Sequence, residues 1–105
     1  MIKIFLMYLD NYINEIEKMC VKHKVKFLCV FGSALTSNFS ESSDVDFIVD
    51  LEPTDPIDYT ENYFALKFQL EDLLKRPVDL LEYRAVRNPY LKKKVNETQK
   101  LIYEV

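Results

Sequence analysis

The 105-residue sequence has one glycine, Gly32, no tryptophan and only two cysteines. Average usage predicts roughly seven glycines in this length. A glycine-rich nucleotide loop needs two or three, so the common fingerprints of that kind are excluded. Any phosphate site here works with very little backbone freedom. Cys20 and Cys29 form no CxxC and no Cys/His cluster with metal-ligand spacing, which removes a structural zinc site from the alternatives. Their apolar neighbours, Met19 and Val21, then Leu28 and Val30, mark buried, reduced thiols of a reducing compartment. Long apolar runs are also missing. The start, Met1 to Leu9, breaks at Asp10 with no small-residue cleavage site after it, so neither a signal peptide nor a membrane span is expected and the location is cytoplasmic.

What is present describes a folded chain. Hydrophobic residues make up 49% and charged residues 30%, with seven Tyr and seven Phe; disorder would need fewer apolar groups and more net charge. One domain over residues 1–105 is expected, long enough to bury a core without disulfides. The net charge is −3, from 14 Lys+Arg and 17 Asp+Glu, which argues against a general nucleic-acid binder despite Lys92-Lys93-Lys94.

The distribution of that charge says more. Between Phe27 and Leu66 there is no Lys or Arg, while Glu41, Asp44, Asp46, Asp50, Glu52, Asp55, Asp58 and Glu61 all fall there. From Lys67 onward nine bases face six acids. A solvated acidic surface followed by a basic helix face is the simplest reading of such runs. The sharper one is that the acidic middle takes a counter-cation, such as magnesium held by one or two carboxylates together with substrate phosphates.

Hydrophobic spacing supplies the elements. Leu6, Leu9, Ile13, Ile16 and Cys20 recur at helical intervals and end at Lys22-His23-Lys24. Val25 to Phe31 reads as a strand stopped by Gly32-Ser33, with a short helical turn expected over Ala34 to Phe39. Val45 to Leu51 is a second strand, with Val45, Phe47 and Val49 on one face and Asp44, Asp46, Ile48 and Asp50 on the other. Asp55 is placed as N-cap with Pro56 in the first helical turn, and the stripe Tyr59, Tyr63, Leu66, Leu70, Leu73 carries a helix to about Lys75. Pro77 to Leu81 makes a third strand, with Asp79 opposite to Val78 and Leu80. A closing helix is expected from Pro89 to Tyr103 on Leu91, Val95, Thr98 and Ile102. The order predicts an α/β fold with a small mixed sheet of about three strands and helices packed on one side. Strands two and three, joined by a crossover helix, should be parallel and the first antiparallel to the second.

One constellation carries chemistry. Asp44 and Asp46, two residues apart, project from one face. Side-by-side carboxylates without a basic neighbour repel, and a raised pKa or a bound cation resolves this. Asp79 adds a third acid from the next strand, and three such carboxylates form a template for two divalent ions roughly 3.5–4 Å apart. Gly32 lets the chain turn close to a ligand, and the Ser33 hydroxyl with the following N–H groups can hold a phosphate. A lone DxD or Gly-Ser usually marks a turn; the conjunction is the signal.

Phe31-Gly32-Ser33, the run Ser42 to Val49 and Pro77-Val78-Asp79-Leu80-Leu81 resemble the polymerase-beta-type nucleotidyltransferases, and within them the minimal nucleotidyltransferase (MNT) branch. The resemblance covers residues 8–105. It implies a fold of that type, with Gly32 and Ser33 contacting the nucleotide triphosphate, Asp44 and Asp46 ligating two Mg2+ ions, and Asp79 ligating one of them and helping to deprotonate the acceptor. The implied reaction is attack of a hydroxyl, a tyrosine in this branch, on the α-phosphate of ATP, transferring AMP and releasing pyrophosphate. The implied partner and substrate is a HEPN-domain ribonuclease toxin encoded nearby, which makes this chain an antitoxin, alone or in a homo- or hetero-oligomer. Members of the family often continue the Gly-Ser with an arginine and a second glycine, where Ala34-Leu35-Thr36-Ser37 stands here, so phosphate binding would rest on the metals and the Ser33 loop. A catalytically silent module that neutralises its partner by contact is the rival reading, and nucleotide transfer to a small molecule a weaker one.

The remaining residues receive simpler roles. His23, at a helix end between lysines, is expected as a dipole partner, Asp50 as a solvated strand end, and Tyr83, Tyr90 and Tyr103 as packing residues.

Overall fold

The computed structural model describes residues 9–31 and 44–105. Helix α1 (Ile13–Lys22) turns Ile16 and Cys20 inward. It leads through Lys24, whose φ is 59°, into strand β1 (Val25–Phe31). Strand β2 (Val45–Leu51) follows, then helix α2 (Pro56–Leu74), strand β3 (Val78–Glu82), a 3-10 turn (Tyr83–Ala85), helix α3 (Pro89–Thr98) and strand β4 (Lys100–Glu104). The expected turn at Ala34 to Phe39 lies outside the described residues.

Local chemistry sets the boundaries. Asp55 Oδ1 accepts the N–H groups of Ile57 and Asp58 at 3.0 and 3.1 Å, satisfying donors that a helix start leaves open, while Pro56 fills a position with no donor to lose. Asn88 caps α3 in the same way, accepting from Tyr90 and Leu91. The far end of α2 closes on Lys75 in the left-handed conformation at φ 57°, its N–H bonded to the Glu71 carbonyl at 2.9 Å. Glycine is the usual residue there. In a chain with one glycine, lysines take the left-handed positions 24 and 75.

The sheet order is β3-β2-β1-β4. As the crossover argument requires, β2 and β3 are parallel, and β1 is antiparallel to β2. Val25, Leu28 and Val30 of β1, Val45, Phe47, Val49 and Leu51 of β2, and Val78 and Leu80 of β3 form one core with Ile16 and Cys20 of α1 and Leu66, Leu70 and Leu74 of α2. On the opposite face Val95 of α3 closes a smaller cluster with Cys29, Phe31 and Ile48.

The end of the chain departs from expectation. The closing helix stops at Thr98, and residues 100–104 form β4, antiparallel to β1. Among the described residues the sheet therefore has four strands rather than about three, and α3 covers the face that α1 and α2 leave open. The stripe Leu91, Val95, Thr98 continued to Ile102 only in sequence. Gln99 is extended, at φ −66° and ψ 146°, and Ile102 joins the α1–α2 core. A β-branched and an aromatic residue, Ile102 and Tyr103, beside the open edge of β1 favour ladder hydrogen bonds over another helical turn.

Candidate active site

The three acids sit where two parallel strands begin. Asp44 is exposed and stands one residue before β2, and Asp46 is the half-buried second residue of that strand. Its neighbours Val45 and Phe47 are fully buried in the α1–α2 core, so alternation turns Asp46 to the opposite face. Asp79 is exposed between buried Val78 and Leu80. The register pairs Asp46 with Asp79, so the two carboxylates occupy adjacent positions on one face.

Several bonds hold that register. The Val45 N–H donates to the Pro77 carbonyl at 3.0 Å, tying the first residue of β2 to the residue before β3. On the edge strand β3, Glu71 Oε2 accepts the Val78 N–H at 3.0 Å, and the Tyr63 hydroxyl donates to the Leu80 carbonyl. Asp79 thus lies between two residues whose backbone is clasped by side chains of α2. The Val78 N–H holds the Glu71 carboxyl below its usual range, with Lys67, at 3.4 Å, adding to the effect. Burial pushes the Tyr63 hydroxyl up, helped by the charges of Glu82 and Asp79.

Gly32 and Ser33 lie outside the described residues. Phe31, the residue before them, is the register partner of Asp46, so β1 ends level with the acids. Among the described residues no group of three His, Cys, Asp or Glu side chains is drawn together as a metal cage; the fold pairs Asp46 with Asp79 and leaves Asp44 one residue outside β2. An all-carboxylate donor set fits a hard divalent cation, and magnesium commonly takes one or two carboxylates and completes its shell with water and substrate phosphates. The residues present fit that ion.

Other polar residues are placed differently from expectation. Asp50, on the Asp46 face, is buried and joined to Arg84 through Nε at 2.8 Å and Nη2 at 3.5 Å. It is a paired internal acid, not a solvated strand end, because the 3-10 turn after β3 brings Arg84 back over the sheet. His23 caps α1 but is buried, its ring nitrogens 3.2 and 3.3 Å from Asn62 Oδ1 and Gln69 Oε1 of α2, so it bridges two helices. The Tyr59 hydroxyl donates to Glu82 at 2.8 Å, and burial, then that carboxylate, push its pKa up to about 12. Tyr83 packs edge-on against Phe27 at 5.2 Å, whereas Tyr90 is almost fully exposed. Only the spacing of Asp46 and Asp50 hinted at a shared face; Arg84 and Asn62 carry no linear signal. Cavities of about 600 Å³ between α1 and Tyr103 and about 450 Å³ around Phe27, Cys29 and Tyr83 are lined by other residues than the three acids.

Comparison with known proteins bears on the family and the fold. Residues 14–105 match the family described as Polymerase beta, Nucleotidyltransferase. A relative from Methanocaldococcus jannaschii, named "Putative protein adenylyltransferase MJ0128", is 42% identical over 82 residues, covering 78% of this chain and 79% of its own. A solved structure described as "Structure of putative minimal nucleotidyltransferase" is 27% identical with a TM-score of 0.73, covering 90% of this chain and 93% of that one. A structure of a tri-AMPylated Shewanella oneidensis HEPN toxin in complex with MNT antitoxin has the same fold at 22% identity, with a TM-score of 0.63 over 91% of this chain and 72% of that one.

Proposed function

The chain belongs to the polymerase beta nucleotidyltransferase family, and we propose that it transfers AMP from ATP to a hydroxyl of a partner protein, a HEPN-type toxin that it thereby neutralises. The single observation that carries the reading is the register pairing of Asp46 with Asp79. Two carboxylates on neighbouring positions of one face are what a phosphoryl-transfer site requires. The M. jannaschii relative, a named protein adenylyltransferase, supports a protein acceptor, and the fold shared with the S. oneidensis complex supports a HEPN partner.

In this reading the acceptor, a tyrosine hydroxyl, attacks the α-phosphorus of ATP. A new oxygen–phosphorus bond forms, the bond to the bridging oxygen breaks, and pyrophosphate leaves. Asp79, on the exposed edge strand, accepts the proton of the acceptor hydroxyl. Gly32 and Ser33 contact the triphosphate. Magnesium held by Asp44, Asp46 and Asp79 would neutralise phosphate charge as it develops. One domain spanning residues 1–105 performs this in the cytoplasm, where Cys20 and Cys29 remain thiols.

Incubation with labelled ATP, magnesium and the product of the neighbouring gene tests the proposal. Label should appear on the partner and vanish with Asp44→Ala/Asp46→Ala. One observation favours the contact-only rival: Ala34-Leu35-Thr36-Ser37 supplies no cation after Gly32-Ser33. Equal neutralisation by wild type and double variant, with no label on either protein, would establish that rival.

A further inference from the structure

Helix α2 is apolar on two sides. Leu66, Leu70 and Leu74 are buried in the core, yet Ile57, Phe64 and Phe68 are 71%, 47% and 57% exposed. At about 100° per residue these three fall within roughly 40° of one another, a straight ridge about 16 Å long on the outward side. Phe64 and Phe68 stack at 6.0 Å, Tyr63 meets Phe64 edge-on at 5.0 Å, and Lys67 lies 5.5 Å from the Phe68 ring centre. Ile57 stands about two turns before Phe64 with exposed Thr60 and Glu61 between them, so the patch centres on the stacked Phe64 and Phe68 rings. A surface helix normally presents polar residues outward, and exposed, stacked aromatic rings mark a contact surface.

The surrounding charge selects the occupant. Glu61 and Asp72 flank the ridge on one side with Asp58 beyond them, all three exposed, and α2 carries four acids, Asp58, Glu61, Glu71 and Asp72, against the single base Lys67. The contact with Asp55 pushes the Asp58 carboxyl up, with Glu61 adding to the effect and Lys24 opposing it. Nucleic acid and anionic lipid would be repelled. A second copy of the chain would set two net-negative helices face to face. A protein helix with an apolar ridge bordered by Lys or Arg fits both features.

We propose that the outward ridge of α2, formed by Ile57, Phe64 and Phe68, is the surface on which a basic amphipathic helix of the partner protein docks. The inference rests on the function proposed above for the identity of that partner. Tyr63, in ring contact with Phe64, is bonded to the residue after Asp79. The ridge and the Asp79 carboxylate lie on opposite sides of the α2–β3 layer, so a partner seated on the ridge presents its acceptor hydroxyl from a separate segment that reaches around the edge strand β3.

The test measures binding of the full chain to the product of the neighbouring gene, by calorimetry and sedimentation. Phe64→Ser/Phe68→Ser should weaken the complex at least tenfold while ATP binding and thermal stability stay as in wild type, because both side chains face outward. Asp58→Lys/Glu61→Lys should weaken it severalfold, and wild-type affinity should fall with added salt. Asp44→Asn/Asp46→Asn should abolish AMP transfer and leave the complex intact, which separates docking from chemistry. A complex that depends on the ridge but transfers no AMP would sink the transfer reading and leave the docking surface standing. Unchanged affinity in the Phe64/Phe68 variant, no complex with that protein, or a wild-type dimer that the same variant dissolves would each overturn the docking surface.

Discussion

Asp46 on β2 and Asp79 on β3 are register partners in the one parallel pair among the described strands. Because each is flanked by residues buried in the core, a one-residue slip of either strand would swap its acid with a core side chain. The same burial that folds the sheet thus fixes the spacing of the two carboxylates.

Asp79→Asn removes the proposed proton acceptor with little change in volume. AMP transfer should fall by about 10²–10⁴-fold, the usual worth of a positioned base, while the melting temperature stays level or rises because a like-charge neighbour is gone. Steady-state transfer rates and calorimetry check both halves.

Glu71 should make stability depend on acid. Its folded-state pKa is lowered, chiefly by the Val78 N–H, so its contribution is full above the unfolded carboxylate pKa and is lost as pH falls through the folded one. In denaturant titrations from pH 7 to pH 3, Glu71→Ala should differ most from wild type near neutrality, by about 1 kcal/mol for one backbone bond, and converge with it at low pH. Glu71→Gln, which keeps an acceptor oxygen, should recover part of the loss.

Lys75→Gly should stabilise the protein. Lys75 holds a left-handed conformation at φ 57°, which disfavours any residue with a Cβ by roughly 1–2 kcal/mol, partly offset by the greater freedom of glycine in the unfolded chain. A gain of about 1 kcal/mol in equilibrium unfolding is expected, and a loss would show that the lysine side chain matters more than its backbone.

The cysteines should be inert in the native protein. Burial, aided by the charge of Glu17, pushes the Cys20 thiol up to about 12, and burial with Glu104 raises Cys29. Alkylation at pH 8 followed by mass spectrometry should find neither labelled until the chain is unfolded.

Much of this was legible in the sequence because it depends on short-range patterns. The alternation around Asp46 and Asp79, the Asp55-Pro56 helix start and the strand–helix–strand order dictated two faces and a parallel pair. What escaped depends on contacts distant in sequence. Strand β4 forms because β1 offers a free edge, and a helical stripe through Leu91, Val95 and Thr98 concealed it. Arg84 reaches Asp50 across 34 residues, and His23 meets Asn62 and Gln69 across 39 and 46. The outer ridge of α2 was hidden for a different reason. Phe64 and Phe68 fall outside the stripe Tyr59, Tyr63, Leu66, Leu70, Leu73, and an apolar residue off that stripe carries no linear sign of what it touches.

The central claim is that this chain modifies its partner covalently. Intact-mass spectrometry of the proposed HEPN-type partner, produced with wild type or with Asp44→Ala/Asp46→Ala, is the sharpest test. One or more AMP adducts, on tyrosine, are expected with wild type alone. An unmodified partner, bound and silenced equally by both forms, would contradict it.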